Sequence, residues 1–96
     1  MLPENVMEFK KSDNRIWLEN ENGKEIAYVS FKYIDKDTID IQHTVVDPVL
    51  QGQGIAGKLI RELTNDLHAK GLKAIPTCSY AIKWFDEHPE EQEMLA

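Results

Sequence analysis

The chain passes from a strand-like to a helix-like segment through Gln51-Gly52-Gln53-Gly54-Ile55-Ala56-Gly57-Lys58. Glycine permits a tight turn and lets an anion approach the backbone closely. The start of a helix adds unpaired N–H groups and the positive end of the helix dipole. We therefore interpret Gln51 to Ala56 as a backbone cradle for a pyrophosphate. The simpler alternative is that the glycines only make a tight strand-to-helix turn.

The segment after this loop has the pattern of an amphipathic helix. Apolar residues recur at the spacing of one helix face, at Ile55, Leu59, Ile60, Leu63 and Leu67. We predict a helix from about Gly54 to Lys70 that ends at Gly71, because glycine is the residue favoured just beyond a helix.

The last quarter of the chain predicts a short strand and a second helix. Leu72 to Thr77 is the strand, and Tyr80 to Glu87 is the helix, with Ser79 as its N-cap. Pro89 would stop this helix. The acidic segment Glu90 to Ala96 is expected to fray.

The first half of the chain predicts four short strands: Val6–Lys11, Arg15–Asn20, Ile26–Ile34 and Thr38–Val46. Short turns between them imply an antiparallel meander. Alternation in the fourth strand predicts that Ile39, Ile41, His43 and Val45 share one face. Because a crossover helix joins parallel strands, Leu72–Thr77 should lie parallel to the fourth strand. The fold class is α+β: four antiparallel strands, a crossover helix, one parallel strand and a C-terminal helix.

Chain length, net charge and cysteine content limit the classes of function and partner that we expect. A chain of 96 residues is one small domain, residues 1–96. The net charge of −6 argues against nucleic acid as a partner and suits a cationic substrate such as an amine. The single cysteine, Cys78, excludes an internal disulfide. We find no long apolar run and no signal peptide, so we expect a cytoplasmic protein with no membrane partner.

The sequence of the loop also matches two other phosphate-binding motifs. Gly52 to Gly57 matches G-x-G-x-x-G, but that dinucleotide motif belongs to parallel sheets, whereas antiparallel strands precede it here. Gly52 to Lys58 matches G-x-x-x-x-G-K, but Leu59 follows where a Ser or Thr would hold magnesium. Topology and chemistry therefore disfavour both motifs.

The third motif carries a family resemblance. Gln51-x-x-Gly54-x-Ala56 resembles the Q/R-x-x-G-x-G/A motif of the GNAT superfamily of N-acetyltransferases. Further segments are similar to those of minimal single-domain GNAT proteins: His43-Thr44-Val45-Val46, Pro76-x-Cys78-x-Tyr80-Ala81 and His88-Pro89. The resemblance covers nearly the whole chain and is most secure from Ile39 to Pro89. It implies a minimal GNAT-like fold and acetyl-CoA as the acyl donor.

The resemblance also implies which residues bind coenzyme A. Loop amides would hold the pyrophosphate, and the backbone of the fourth strand would pair with the pantetheine arm. The cofactor-binding candidates are Val45, Val46, Gln51, Gly52, Gln53, Gly54, Ile55, Ala56, Gly57, Lys58, Cys78 and Phe85. A backbone N–H near Val46 would act as the oxyanion donor. We predict no metal site, because no histidine pair has ligand spacing with Cys78.

Three side chains are the catalytic candidates: Cys78, Tyr80 and His43. Many GNAT enzymes protonate the leaving thiolate with a Tyr where this chain has Trp84-Phe85, so Tyr80 or Cys78 would have to serve. Cys78 is either a reactive thiol near the coenzyme or a small buried hydrophobe. Tyr80 is either the acid or a packing residue. His43 is either the general base or a core histidine.

The sequence therefore predicts an acetyl-CoA-dependent N-acetyltransferase acting on an unidentified amine or protein lysine. The alternative is a non-catalytic acyl-CoA-binding or sensing module. A third alternative is a subunit that receives its acceptor site from a partner. A monomer is favoured.

Overall fold

A computed structural model describes residues 8–96 of the chain. It contains five strands and two α-helices: β1 (Lys10–Lys11), β2 (Arg15–Glu19), β3 (Glu25–Tyr33), β4 (Thr38–Val46), α1 (Ile55–Lys70), β5 (Lys73–Pro76) and α2 (Ser79–Asp86). Short 3₁₀ helices span Pro48–Leu50 and Pro89–Met94. The first predicted strand is shortened to Lys10–Lys11, and its residues Val6 and Met7 lie outside the described part of the chain.

The sheet order is β1-β2-β3-β4-β5. Each of the first four strands pairs antiparallel with the next, and β4 pairs parallel with β5. The predicted meander, crossover helix and parallel strand are therefore confirmed. Within residues 8–96, neither helix is long and apolar enough to span a bilayer.

Both α-helices pack on the same face of the sheet and contact each other. The apolar stripe predicted for α1 is buried in full: Ile55, Leu59, Ile60, Leu63 and Leu67. It packs on strand residues such as Val29, Ile39 and Ile41, which have no exposed surface. Burial of one such side chain contributes about 1.5–3 kcal/mol.

No helix of the described residues packs on the opposite face of the sheet, which we call the open face. The side chains that strand alternation places there include seven from β2, β3 and β4: Arg15, Trp17, Glu19, Tyr28, Ser30, His43 and Val45. These side chains are half-buried or exposed, in contrast to the core on the other face.

A β-bulge in β4 overturns one sequence prediction. Ser30 lies opposite His43 and Phe31 lies opposite Ile41, so Gln42 is an extra residue in β4. A bulge of this kind reverses the alternation beyond it. Ile39 and Ile41 are buried, whereas His43 lies exposed on the open face with Val45. The prediction that all four share one face is wrong for this reason.

The C-terminal segment is ordered by long-range contacts, so the prediction that it frays is wrong. Glu91 is buried and accepts hydrogen bonds from Arg61 Nη1 at 2.6 Å and from His68 Nε2 at 2.8 Å. Met94 is buried beside it. Ala96 N–H donates to the carbonyl of Ala74 at 3.0 Å, so the chain end covers the outer edge of β5.

Candidate active site

The loop between β4 and α1 requires its glycines. Gly52 has φ +87° and Gly54 has φ +75°, in the left-handed region that favours glycine. Gly54 is the N-cap of α1 and makes no side-chain capping bond, since it has no side chain. The first N–H groups of any helix have no partner within that helix. The N–H groups of Ile55 and Ala56, at the start of α1, therefore have no hydrogen-bond partner within the helix.

Gly57 has a different role, in helix packing. A Cβ at this position would lie 3.3 Å from Tyr80 Oη and 3.9 Å from Trp84 Nε1. The missing side chain therefore lets the first turn of α1 approach α2 closely. This contact brings the Tyr80 hydroxyl to the glycine loop.

β4 and β5 separate after a short parallel pairing. They pair only from Thr38–Ile41 to Lys73–Pro76. Beyond that point, the N–H groups of Thr77 and Cys78 both donate to Ile41 O, at 3.0 and 3.2 Å, and the chain turns into α2. β4 continues to Val46 without β5 beside it. We call this separation the gap.

The end of β4 presents backbone groups to the gap. Asp47 N–H donates to Ile26 O at 2.8 Å, toward β3. Because backbone groups alternate in direction along a strand, those of Val46 and Thr44 point away from β3, into the gap. By the same alternation the backbone of Val45 faces β3. The Nε2 atom of Gln51 lies 3.5 Å from Val46 O, at the mouth of the gap.

A cavity of about 320 Å³ lies between the gap and the glycine loop. Its lining comes from β4, the loop, the start of α1 and the start of α2: Thr44, Val46, Leu50, Gln51, Gly52, Gly54, Ile55, Ala56 and Tyr80. This volume is at the lower end for small-molecule sites. The lining therefore brings together most of the predicted loop residues with Val46 and Tyr80.

Some predicted site residues lie elsewhere. Phe85 has 1% exposure and packs in the core, edge-on to Trp84 at 5.1 Å between ring centroids. Gln53 is exposed on the loop, and Lys58 is half-buried in the first turn of α1.

The sequence prediction missed Thr44 and Leu50. Thr44 points into the cavity only because the bulge reverses the alternation of β4. An alternation pattern without the bulge assigns Thr44 to the opposite face.

Cys78 lies half-buried at the start of α2. Its Sγ accepts the Ala81 N–H at 3.4 Å and so caps the helix, a role predicted for Ser79. The same sulfur lies 3.4 Å from Thr44 Oγ1, across the gap. The thiol therefore connects the free end of β4 to α2.

Tyr80 and His43 flank the gap from opposite faces of the sheet. Partial burial and the negative charge of Glu87 raise the pKa of the Tyr80 hydroxyl above its usual value, so it stays protonated at neutral pH. His43 is exposed on the open face, with its Nδ1 3.2 Å from Ser30 Oγ. The two groups are thus available to different sides of a molecule held in the gap.

A mixed sheet with a gap between parallel strands, beside a glycine turn that opens the crossover helix, defines the N-acetyltransferase class of folds. The family model described as GCN5-related N-acetyl-transferase matches residues 15–94. The chain therefore belongs to the GCN5-related N-acetyltransferase family, which confirms the resemblance found in the sequence.

Curated relatives match part of the chain. Protein NATD1 of Xenopus tropicalis is 36% identical over 66 residues, which is 69% of this chain and 61% of that protein. Human Protein NATD1 is 35% identical over 66 residues, 69% of this chain and 58% of that protein. The aligned region thus spans less than two thirds of these relatives.

Solved structures share the fold. A GCN5-like protein from Staphylococcus aureus, solved by NMR, has a TM-score of 0.78 and 26% identity, and the match covers 94% of this chain and 88% of that one. The GNAT family N-acetyltransferase YhbS from Escherichia coli, in complex with CoA, has a TM-score of 0.62 and 23% identity over 72% of this chain and 42% of that one.

Proposed function

We propose that this protein is an acetyl-CoA-dependent N-acetyltransferase. The observation that carries the proposal is the position of one cavity. It joins the unpaired N–H groups at the start of α1 to the free backbone edge of Thr44 and Val46. A pyrophosphate fits the first feature and an extended amide chain fits the second. Coenzyme A contains both groups in one molecule.

The loop would bind the pyrophosphate of the donor, and the gap would bind its pantetheine arm. The N–H groups of Gly54, Ile55 and Ala56 would bind the pyrophosphate without help from a metal, since the helix dipole favours an anion there. The Val46 carbonyl would accept a hydrogen bond from a pantetheine amide, as in an added strand, which leaves the Val46 N–H for the thioester. This assignment places the thioester near Cys78 and Thr44, at the floor of the gap.

Acetyl-CoA would supply an acetyl group already activated as a thioester. The Val46 N–H would hydrogen-bond the carbonyl oxygen as charge develops on it. His43 would accept the proton that the attacking amine loses as the C–N bond forms. Tyr80 would donate its proton to the sulfur as the C–S bond breaks, because its hydroxyl is protonated and lines the cavity. Cys78 is the second candidate for this acid.

One observation favours the alternative of a non-catalytic acyl-CoA sensor. Trp84 and Phe85 occupy the sequence position of the usual acidic Tyr and are buried at 4% and 1% exposure. No proton donor reaches the gap from that position. An enzyme would therefore depend on Tyr80 or Cys78.

Thiol release from acetyl-CoA, measured with a panel of small amines, peptides and proteins, distinguishes the two functions. We expect turnover with at least one acceptor, and a fall of about 100-fold in kcat for Tyr80→Phe. Tyr33→Phe is the matched control, because Tyr33 lies at the far end of β3 and should keep full activity. Acetyl-CoA binding without turnover for any acceptor would favour the sensor. An unchanged kcat in Tyr80→Phe would indicate that Cys78, not Tyr80, is the acid.

A further inference from the structure

The imidazole of His43 is bound to the neighbouring strand by one side chain. Ser30 of β3 lies directly opposite His43 of β4, on the open face. The Nδ1 atom of the imidazole lies 3.2 Å from Ser30 Oγ. The serine is half-buried, whereas the histidine is exposed. Within residues 8–96 this is the only hydrogen bond of the ring, so Ser30 is the group that can orient it.

Ser30 and the gap lie on opposite sides of His43. In the sheet, β4 lies between β3 and β5, and the gap opens on the β5 side of β4. The Nδ1 atom is therefore turned toward β3 and away from the gap. The Nε2 atom has no hydrogen-bond partner in the described part of the chain, so it is the ring nitrogen that an acceptor in the gap can reach.

The direction of the hydrogen bond between Ser30 and His43 decides what the imidazole can do. A neutral imidazole carries its proton on one nitrogen and accepts with the other. If the hydroxyl donates to Nδ1, the ring proton lies on Nε2, which can then only donate. If Nδ1–H donates to the hydroxyl oxygen, Nε2 has a free lone pair and can accept a proton. The partner of Nδ1 therefore selects between a hydrogen-bond donor and a base at Nε2.

We propose that Ser30 is a positioning residue: its Oγ accepts the Nδ1–H of His43 and so keeps Nε2 unprotonated for the acceptor amine. This proposal rests on the proposed function, in which His43 is the base. As the C–N bond forms, an N–H bond of the amine breaks and its proton goes to Nε2. The resulting imidazolium still donates its Nδ1–H to Ser30, and this hydrogen bond strengthens as the ring becomes charged.

Long-range ¹⁵N–¹H correlation spectra of the imidazole rings test the proposal without a substrate. With the rings neutral, we expect His43 to carry its proton on Nδ1. His88 is the internal reference for this tautomer, because its Nδ1 lies 2.6 Å from the carbonyl oxygen of Trp84 and must donate to it. In Ser30→Ala the two nitrogen shifts of His43 should move toward each other, since both tautomers become populated, while those of His88 stay unchanged. A proton on Nε2 of His43 in the unmodified protein, or an unchanged tautomer in Ser30→Ala, overturns the proposal.

Acetyl transfer to the fastest acceptor of the thiol-release panel gives a kinetic test. We expect Ser30→Ala to lower kcat about tenfold, the lower end for loss of a hydrogen bond to a charged group. The KM for the acceptor should not change, because Ser30 acts through His43 and does not bind the acceptor. Ser30→Thr keeps the hydroxyl and should restore kcat. Ser12→Ala, the same change at an exposed position between β1 and β2, is the matched control and should keep full activity.

A double variant shows whether Ser30 acts through His43. In a His43→Ala background, Ser30→Ala should not lower kcat further, since the group that it positions is gone. An additional tenfold loss in the double variant, or full activity in His43→Ala, overturns the proposal.

The proposed function fails by different results. Turnover by a protein whose His43 is protonated on Nε2 contradicts the role of Ser30 alone. Absence of turnover with every acceptor, or of a rise in Tm with acetyl-CoA, contradicts the proposed function. The ¹⁵N shifts still decide in that case whether Ser30 holds the tautomer of His43.

Discussion

Gly54 is the residue at which the donor assignment can be tested most simply. Asn and Asp both tolerate the left-handed backbone of this position and both are good N-caps, so the two variants differ mainly in charge. We expect Gly54→Asp to bind CoA about tenfold to hundredfold more weakly than Gly54→Asn, because a carboxylate at the helix start repels the pyrophosphate. Isothermal titration calorimetry measures both affinities. Equal affinities would contradict an anion site here.

Gly57 allows a prediction about stability. Gly57→Ala should raise the free energy of unfolding by about 0.5–1 kcal/mol, the usual gain of Ala over Gly inside a helix. The new methyl group would approach the Tyr80 hydroxyl to 3.3 Å, and that side chain is 37% exposed and can shift. The gain should be larger in a Tyr80→Phe background, since the contact is relieved. Urea unfolding of the four proteins checks this, and a loss of stability in Gly57→Ala would contradict it.

Single residues differ in how far the sequence predicts them. The turn made by the loop glycines was predicted because few other residue types permit a tight turn from a strand into a helix. Thr44 lines the cavity but was not a candidate, and Phe85 was a candidate but is buried in the core, because both positions depend on which face of an element meets the gap. That face is set by the β4 bulge and by the packing of α2, and neither has a signal in local sequence.

At the scale of elements, the C-terminal 3₁₀ helix is held to α1 by Glu91. Burial opposes ionisation of this carboxyl group, but hydrogen bonds from His68 and Arg61 outweigh it and hold the pKa of Glu91 below its usual value. A lowered carboxyl pKa contributes stability that is present above the unfolded value, about 4.3, and lost as pH falls below it. The lowered pKa of Glu91 therefore predicts that the attachment of the C-terminal segment to α1 weakens in acid.

Glu91→Gln should therefore cost about 1–3 kcal/mol at pH 7 and flatten the loss of stability between about pH 5 and pH 3. Denaturant unfolding across this range measures both effects. Glu90→Gln is the matched control: its side chain is 58% exposed and lies 3.3 Å from Arg61 Nη2, so it should cost less than about 0.5 kcal/mol. If Glu91→Gln lost as much stability on acidification as the unmodified protein does, Glu91 would not be the group that makes the C-terminal segment acid-sensitive.

Elements with strong periodicity were predicted, and those that depend on distant partners were not. α1 was found because five apolar residues repeat at helical spacing. The bulge was missed because the alternation through Ile39, Ile41, His43 and Val45 continues without interruption in the sequence. The order of the C-terminal segment was missed because the partners of Glu91 lie 23 and 30 residues away.

In the whole molecule, the two faces of one sheet would bind two different substrates. The helix-covered face and the glycine loop would bind the donor, and the open face would bind the acceptor. The gap would let the donor from one face and the acceptor from the other meet at the Val46 N–H. All residues named in this arrangement lie in the described part of the chain, and the aligned region spans about three fifths of the curated relatives.

An NMR titration of the ¹⁵N-labelled protein with coenzyme A would show directly whether the donor binds at the loop and the gap. We predict saturable shifts of the Val46, Ile55 and Ala56 amides, while the amides of Leu67 and Gly71 at the far end of α1 stay unchanged. No saturable shift at millimolar coenzyme A, or shifts confined to the Leu67–Gly71 end, would contradict coenzyme A binding at the loop and the gap.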